Sequence, residues 1–247
     1  MSQLTSTALE YHYDSTRMSG QFVIDDTKTK SRRRPGVLVV HEAFGLGSHA
    51  IASAERLAEL GYAALAIDLW GDRAQITEMP KVTEIIGRLV GDRNLWTGRV
   101  EAARQALLAQ PKVDGHRLAA IGYCFGGSTV LEYARSGADI RGVVSFHGGL
   151  DPVGNDWDAV RTKAKLLLCT GAEDPIISAS SVVTFQDNLR KGGIDWEINT
   201  YGGTKHSFTN PDADKAGMPQ VLGYNKQADQ RPWASMAGFL AEIFAEG

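Results

Sequence analysis

The order of apolar and amphipathic stretches predicts an α/β fold: a doubly wound, mostly parallel sheet of about eight strands flanked by helices, in a single domain over residues 1–247. Three observations carry that expectation. Residues 36–40 are a continuous apolar run, the mark of a strand buried on both faces of a parallel sheet, and 62–67, 118–121, 142–146 and 164–169 read as further buried strands. Between them lie stretches with apolar residues at helical spacing. Finally, Gly122-Tyr123-Cys124-Phe125-Gly126-Gly127 stands between an apolar run and a helix-like segment, where a sharp turn is needed.

Taken in order, residues 9–13 and 21–25 read as two short strands around Met18-Ser19-Gly20, an antiparallel ribbon at a sheet edge. Residues 28–34, rich in Lys and Arg, read as a solvated basic loop. The run at 36–40 ends in His41-Glu42-Ala43-Phe44-Gly45. Residues 48–60, with Ile51, Ala54, Leu57 and Ala58 on one face, form a helix stopped by Gly61, and 62–67 is the next strand, which completes a βαβ unit. After Asp68 come two helical stretches, one with Val82, Ile85, Ile86, Leu89 and Val90, the other over 97–109. Residues 111–117 lead into the strand before Cys124. Strands at 142–146, 164–169 and 196–201 follow, with a helix through Val182, Phe185 and Leu189. The closing segment, with Trp233, Met236, Leu240, Ile243 and Phe244, is a one-faced helix that should pack on the sheet.

Length and composition narrow the function classes. At 247 residues the chain is long enough to bury a sizeable core. With 43% hydrophobic and 22% charged residues and a net charge of -3, nothing favours nucleic acid or an anionic membrane as partner. Small, roughly neutral ligands are expected. Two cysteines, both in apolar strand contexts, make no disulfide framework, and the start lacks a basic region followed by an apolar one, so the expectation is a soluble, cytoplasmic protein.

Cys124 sits in a G-x-nucleophile-x-G turn. Small residues are required there because strand and helix backbones approach closely and the central residue is held in a strained conformation. A thiol nucleophile needs a base for its proton and a third group to orient that base. In this strand-turn-helix architecture the acid and then the histidine follow the nucleophile, each after a strand. Asp174 follows the strand at 164–169, with Glu173 as its competitor, and His206 follows the last strand. All three positions fall at the carboxyl edge of the expected sheet, where open α/β sheets bind ligands. The backbone N–H of Phe125, at the start of the helix, is a candidate donor to a developing oxyanion, and the helix terminus favours a thiolate at Cys124.

The Gly-Tyr-Cys-Phe-Gly-Gly turn, the His41-Glu42 pair, Asp174 and His206-Ser207-Phe208 together resemble the dienelactone hydrolase family of α/β-hydrolases, over nearly the whole chain from about residue 36 to the segment 224–244. The resemblance implies Cys124 as nucleophile, His206 as base and later acid, and Asp174 as the group that orients His206. It implies the N–H of Ala43 as a second oxyanion donor. Glu42 resembles a resting-state partner that hydrogen-bonds the thiol. Tyr123, Phe44, Arg73, His147 and Phe208 are expected at the substrate. No metal or organic cofactor is implied.

The reaction so implied is hydrolysis of a small lactone or carboxylic ester through a thioester acyl-enzyme. The family's reference substrates are dienelactones, for which an arginine four residues after the catalytic histidine pairs with the substrate carboxylate. This chain has Asn210 there, followed by Pro211-Asp212-Ala213-Asp214, and acidic residues repel a carboxylate. A second family arginine has no unique counterpart among Arg73, Lys81 and Arg88. A thioesterase or acyltransferase, or a non-catalytic redox or ligand-binding thiol, remain alternatives. Cys169, inside Leu-Leu-Leu-Cys, reads as a buried apolar residue. Gly45-Leu46-Gly47-Ser48-His49-Ala50 matches a dinucleotide-binding pattern on paper, but four residues separate it from its strand, and Asp68 reads as structural.

Overall fold

The structure, a computed structural model, describes residues 3–28 and 33–245. Eight strands form one mostly parallel sheet in the order β1-β2-β4-β3-β5-β6-β7-β8. The chain falls into two compact units, Met1–Ala120 and Ile121–Gly247.

In the first unit, β1 (Leu4–Tyr13) and β2 (Thr16–Asp25) pair antiparallel, and β2 pairs antiparallel with β4 (Ala63–Ile67). Both ribbon strands are longer than expected, and they turn at Asp14-Ser15 rather than around residue 19. Asp14 takes the left-handed conformation a two-residue hairpin needs, which Asp tolerates. Gly20 is not a turn residue: a Cβ there would lie 2.7 Å from the carbonyl oxygen of Ala66, so the glycine admits the neighbouring strand. Strand β3 (Arg34–Val40) pairs parallel with β4, and α1 (Ser48–Glu59) joins the two by burying Ala50, Ser53, Ala54, Leu57 and Ala58. Of the expected basic loop, residues 29–32 lie outside the described residues. Arg34 is buried in β3 and ion-paired with Asp26 at 3.2 Å. Helices α2 (Met79–Gly91) and α3 (Arg93–Leu108) follow, and β5 (Val113–Tyr123) begins earlier than its apolar run.

In the second unit, α4 (Phe125–Arg135) is buried from Phe125 through Ala134. Its one internal carboxylate, Glu132, is held by Arg135 at 2.9 Å and by the N–H of Gly154 at 3.0 Å. The parallel strands β6 (Gly142–Phe146), β7 (Lys165–Gly171) and β8 (Trp196–Tyr201) follow, with α5 (Ala179–Lys191) between the last two, and the chain closes on α6 (Lys226–Ala245). The closing helix packs where expected. It buries Pro232, Met236, Leu240 and Ile243 in steps of three and four, and a Cβ on Gly142 of β6 would lie 2.9 Å from Ile243. A short 3-10 turn, Ala213–Ala216, has no counterpart among the expected elements. Among the described residues no helix is long and apolar enough to cross a membrane.

Candidate active site

The turn between β5 and α4 is as tight as its glycines suggest. A Cβ on Gly122 would meet the carbonyl oxygen of Gly126 at 2.0 Å, and one on Gly127 would meet Ser145 Oγ at 2.7 Å. Cys124 caps α4 with φ 54° and ψ -118°, a conformation costly for a side chain with a Cβ and held only where the surroundings over-determine it. Its own N–H donates to the carbonyl oxygen of Phe146 at 3.0 Å and to His147 Nδ1 at 3.1 Å. The residue remains partly accessible. Phe125 is the first residue of α4, so its N–H points out of the helix's amino end.

Asp174 and His206 meet. His206 Nδ1 lies 2.7 Å from Asp174 Oδ2, with both side chains buried. Asp174 Oδ1 accepts the N–H of Ile176 at 2.8 Å, so the Asp-Pro turn aims the carboxylate. Its competitor Glu173 is engaged elsewhere, since Oε2 accepts the N–H of Thr204 at 2.6 Å and anchors the loop that carries His206. That loop is also pinned by backbone bonds from the His206 N–H to Val221 and from the Gly223 N–H to His206, each 3.1 Å. Among the described residues His206 Nε2 is buried without a hydrogen-bond partner. Burial disfavours the imidazolium, but the charge of the Cys124 sulfur, together with Asp174, outweighs it and pushes His206 up to about 10. One face of the imidazole is thus held by a carboxylate, and the ring's charge is coupled to the Cys124 sulfur.

The remaining second-unit candidates have internal partners. Tyr123 stacks on Phe146 with ring centroids 4.9 Å apart, and Phe208 is fully buried. His147, fully buried, reaches Thr209 Oγ1 from Nε2 at 2.9 Å. Asn210 accepts the N–H of Asp212 on Oδ1 at 2.9 Å and shapes a turn. Cys169 is buried, and burial pushes its thiol up to about 12.

In the first unit, the loop after β3 is organised by two histidines. His41 Nδ1 lies 2.5 Å from the Glu42 carbonyl oxygen, and Nε2 accepts the N–H of Leu69 at 3.2 Å. Burial lowers the pKa of His41, so the ring is neutral. Glu42 Oε1 pairs with His49 Nδ1 at 2.7 Å. Burial pushes the Glu42 carboxyl up, and His49 outweighs it and holds the group below its ordinary range. No motif singled out His49, whose relation to Glu42 depends on how the loop enters α1. Ala43 and Phe44 are half-buried, as is Arg73, whose Nη2 donates to Gln21 Oε1 at 3.0 Å. Asp68 is structural: its carboxylate accepts the N–H groups of Ser19, Trp70, Gly71 and Arg73 at 2.7–3.1 Å. Among the described residues no group of three or more His, Cys, Asp or Glu side chains could hold a metal ion.

The family model described as "Dienelactone hydrolase family" matches residues 23–244. The chain belongs to the dienelactone hydrolase family. Its structure superposes with a TM-score of 0.90 on the crystal structure of a dienelactone hydrolase-like promiscuous phosphotriesterase from metagenomic libraries, at 41% identity over 98% of this chain and 99% of that one. A solved chain named m3DLH gives 0.92 at 41% identity, with the same shares covered. An uncharacterized protein of Caenorhabditis elegans is 36% identical over 149 residues, 60% of this chain and 93% of that protein. The fold is therefore that of the α/β-hydrolases, and the chain is a dienelactone hydrolase-like hydrolase.

Proposed function

We propose that this hydrolase opens small lactones or carboxylic esters through a Cys124-His206-Asp174 triad and a thioester on Cys124. The observation that carries the reading is the buried His206–Asp174 contact of 2.7 Å, with the opposite ring nitrogen unpartnered and electrostatically coupled to Cys124. The Cys124 thiolate attacks the acyl carbon, and the negative charge moves onto the carbonyl oxygen, where the Phe125 N–H stabilises it. The C–O bond to the leaving group breaks, and His206 gives that oxygen its proton. Water then loses a proton to His206 Nε2 and attacks the thioester; the C–S bond breaks, and acid and thiolate are released. With a lactone, the leaving oxygen stays in the same molecule and the product is a single hydroxy acid or its keto tautomer.

From the family pattern the proposal adds the Ala43 N–H as second oxyanion donor and Glu42 as resting-state partner of the thiol. An identical thiol pKa in wild type and Glu42→Gln removes the latter role. Phe44 and Arg73, both half-buried, are assigned to substrate contact. Tyr123, His147 and Phe208, nearly or wholly inaccessible, are assigned to the wall behind the site. Asn210 is occupied in its turn, and the substrate's far end is accordingly uncharged rather than a carboxylate.

The test is turnover of 4-nitrophenyl acetate and of a panel of lactones, enol esters and thioesters, with mass spectrometry of the quenched enzyme. Turnover that falls about 10³-fold or more in Cys124→Ala and His206→Ala, with an acyl adduct on Cys124, is expected. Full activity in Cys124→Ala overturns the mechanism, and a preference for thioesters assigns the alternative acyl group.

A second reading rests on the phosphotriesterase at 41% identity. The same thiolate attacks phosphorus in an aryl dialkyl phosphate, the P–O bond to the aryl group breaks, and the aryl oxide leaves. Water then cleaves the S–P bond to give dialkyl phosphate and the thiolate. Diethyl 4-nitrophenyl phosphate is the probe: repeated turnover supports this activity, and a single stoichiometric burst with a lasting adduct rejects it.

A further inference from the structure

We infer that His147 is a positioning residue that ties the nucleophile turn to the loop carrying the base, with Cys124 setting the imidazole tautomer and Thr209 accepting from it. The inference rests on the Cys124–His206 reading above.

His147 is the first residue after β6, has φ 42° and is fully buried. Left-handed backbone at a residue with a Cβ is uncommon, and histidine is among the side chains enriched there. Its ring touches two pieces of the site. Nδ1 accepts the N–H of Cys124 at 3.1 Å, a donor shared with the Phe146 carbonyl oxygen at 3.0 Å. A ring nitrogen that accepts an N–H carries no proton, so a neutral imidazole here bears its proton on Nε2. Nε2 then donates to Thr209 Oγ1 at 2.9 Å. Thr209 is buried and lies three residues after His206.

The ring also packs edge-on against His206 and against Phe208, each with centroids 5.0 Å apart. One imidazole therefore bonds the strained nucleophile through the backbone, bonds the base's loop through a hydroxyl, and abuts the base itself. Cys124 at φ 54° persists only where neighbours over-determine it, and His147 supplies one of its two backbone acceptors. A proton on Nδ1 would set donor against donor at Cys124, and a ring protonated on both nitrogens would also place a second cation beside the His206 imidazolium. The neutral Nε2–H tautomer is the one that holds both loops.

The experiment compares wild type, Thr209→Val, His147→Asn and the double variant. Valine keeps the threonine's shape and removes the acceptor. Asparagine tolerates the left-handed backbone and offers an acceptor near the Nδ1 position but does not reach residue 209. Three readouts are taken: kcat and KM on 4-nitrophenyl acetate, the rate of Cys124 alkylation by iodoacetamide, and Tm. Each single variant is expected to lose about tenfold in kcat with KM little changed, since small misplacement of reacting groups acts on the chemical step. Alkylation should slow severalfold, and the double variant should be no worse than the poorer single one, because both changes cut one linkage.

Folded single variants with kcat and alkylation within twofold of wild type overturn the inference, as do losses that multiply in the double variant. If wild type does not hydrolyse the ester, the proposed function fails, and the alkylation rates alone still decide the positioning role.

Discussion

Gly122 faces the carbonyl oxygen of Gly126 so closely that a Cβ at position 122 would lie 2.0 Å from it. Backbone, not a flexible side chain, occupies that space, so Gly122→Ala must push β5 and α4 apart. We expect a loss of about 1–3 kcal/mol or more from overpacking, seen as a Tm lower by several degrees together with loss of activity. A Tm equal to wild type would show that the turn relaxes easily.

The pH dependence of catalysis follows from His206. Its imidazolium is stabilised up to about 10, and in the proposed reaction the leaving oxygen takes that proton. kcat/KM should therefore hold across neutral pH and fall as pH rises through a value near 10. In Asp174→Asn a stabilising charge is removed, so the basic limb moves to lower pH and activity drops by orders of magnitude, about 10⁴-fold where such an orienting aspartate has been replaced. The rate profile, corrected for spontaneous hydrolysis, checks this; an unmoved basic limb counts against Asp174 as the orienting group.

The Glu42–His49 pair predicts a pH-dependent contribution to stability. The folded Glu42 carboxyl lies below its ordinary value near 4.5, so its contribution is present above that value and lost as pH falls through the lower, folded one. His49→Phe deprives a largely buried carboxylate of this partner. The expected cost is about 1–3 kcal/mol at pH 7, shrinking toward pH 3. Paired urea titrations at the two pH values measure it, and a cost independent of pH would mean that His49 acts through packing alone.

The two cysteines should separate cleanly. Cys169 is buried, with its thiol pushed up to about 12, whereas Cys124 is partly accessible and coupled to His206. Native protein titrated with a disulfide reagent at pH 8 should show one fast thiol, lost in Cys124→Ala, and denatured protein should show two. Two fast thiols in the native state would contradict the burial of β7.

Much of this was legible in the chain because it rests on local rules. Valine-rich stretches such as 36–40 and 142–146 announce buried parallel strands, and the glycines around Cys124 announce a turn where two backbones nearly touch. That Cys124, Asp174 and His206 each follow a strand could be read as well, and strand ends bind ligands in such sheets. Asp174 against Glu173 was a choice between neighbours, and it is the turn through Pro175 and the Thr204 N–H that gives the two carboxylates different work.

Other relationships have no sequence signature. His49 holding Glu42, Thr209 meeting the ring of His147, and Gly20 admitting β4 join residues whose separations obey no period and which meet only after the loops have closed. The ribbon turns at Asp14-Ser15 and not near Gly20, because a glycine in sequence signals a turn and a close backbone approach equally well. Hydrophobic period and turn sterics act between near neighbours, and so the order of amino acids alone dictates the layers of the fold and the tight turn that presents Cys124. Which ring nitrogen bears a proton, which carboxylate meets which imidazole, and what holds Cys124 at φ 54° belong to the folded chain, because hydrogen bonds depend on distances and angles between loops far apart in sequence.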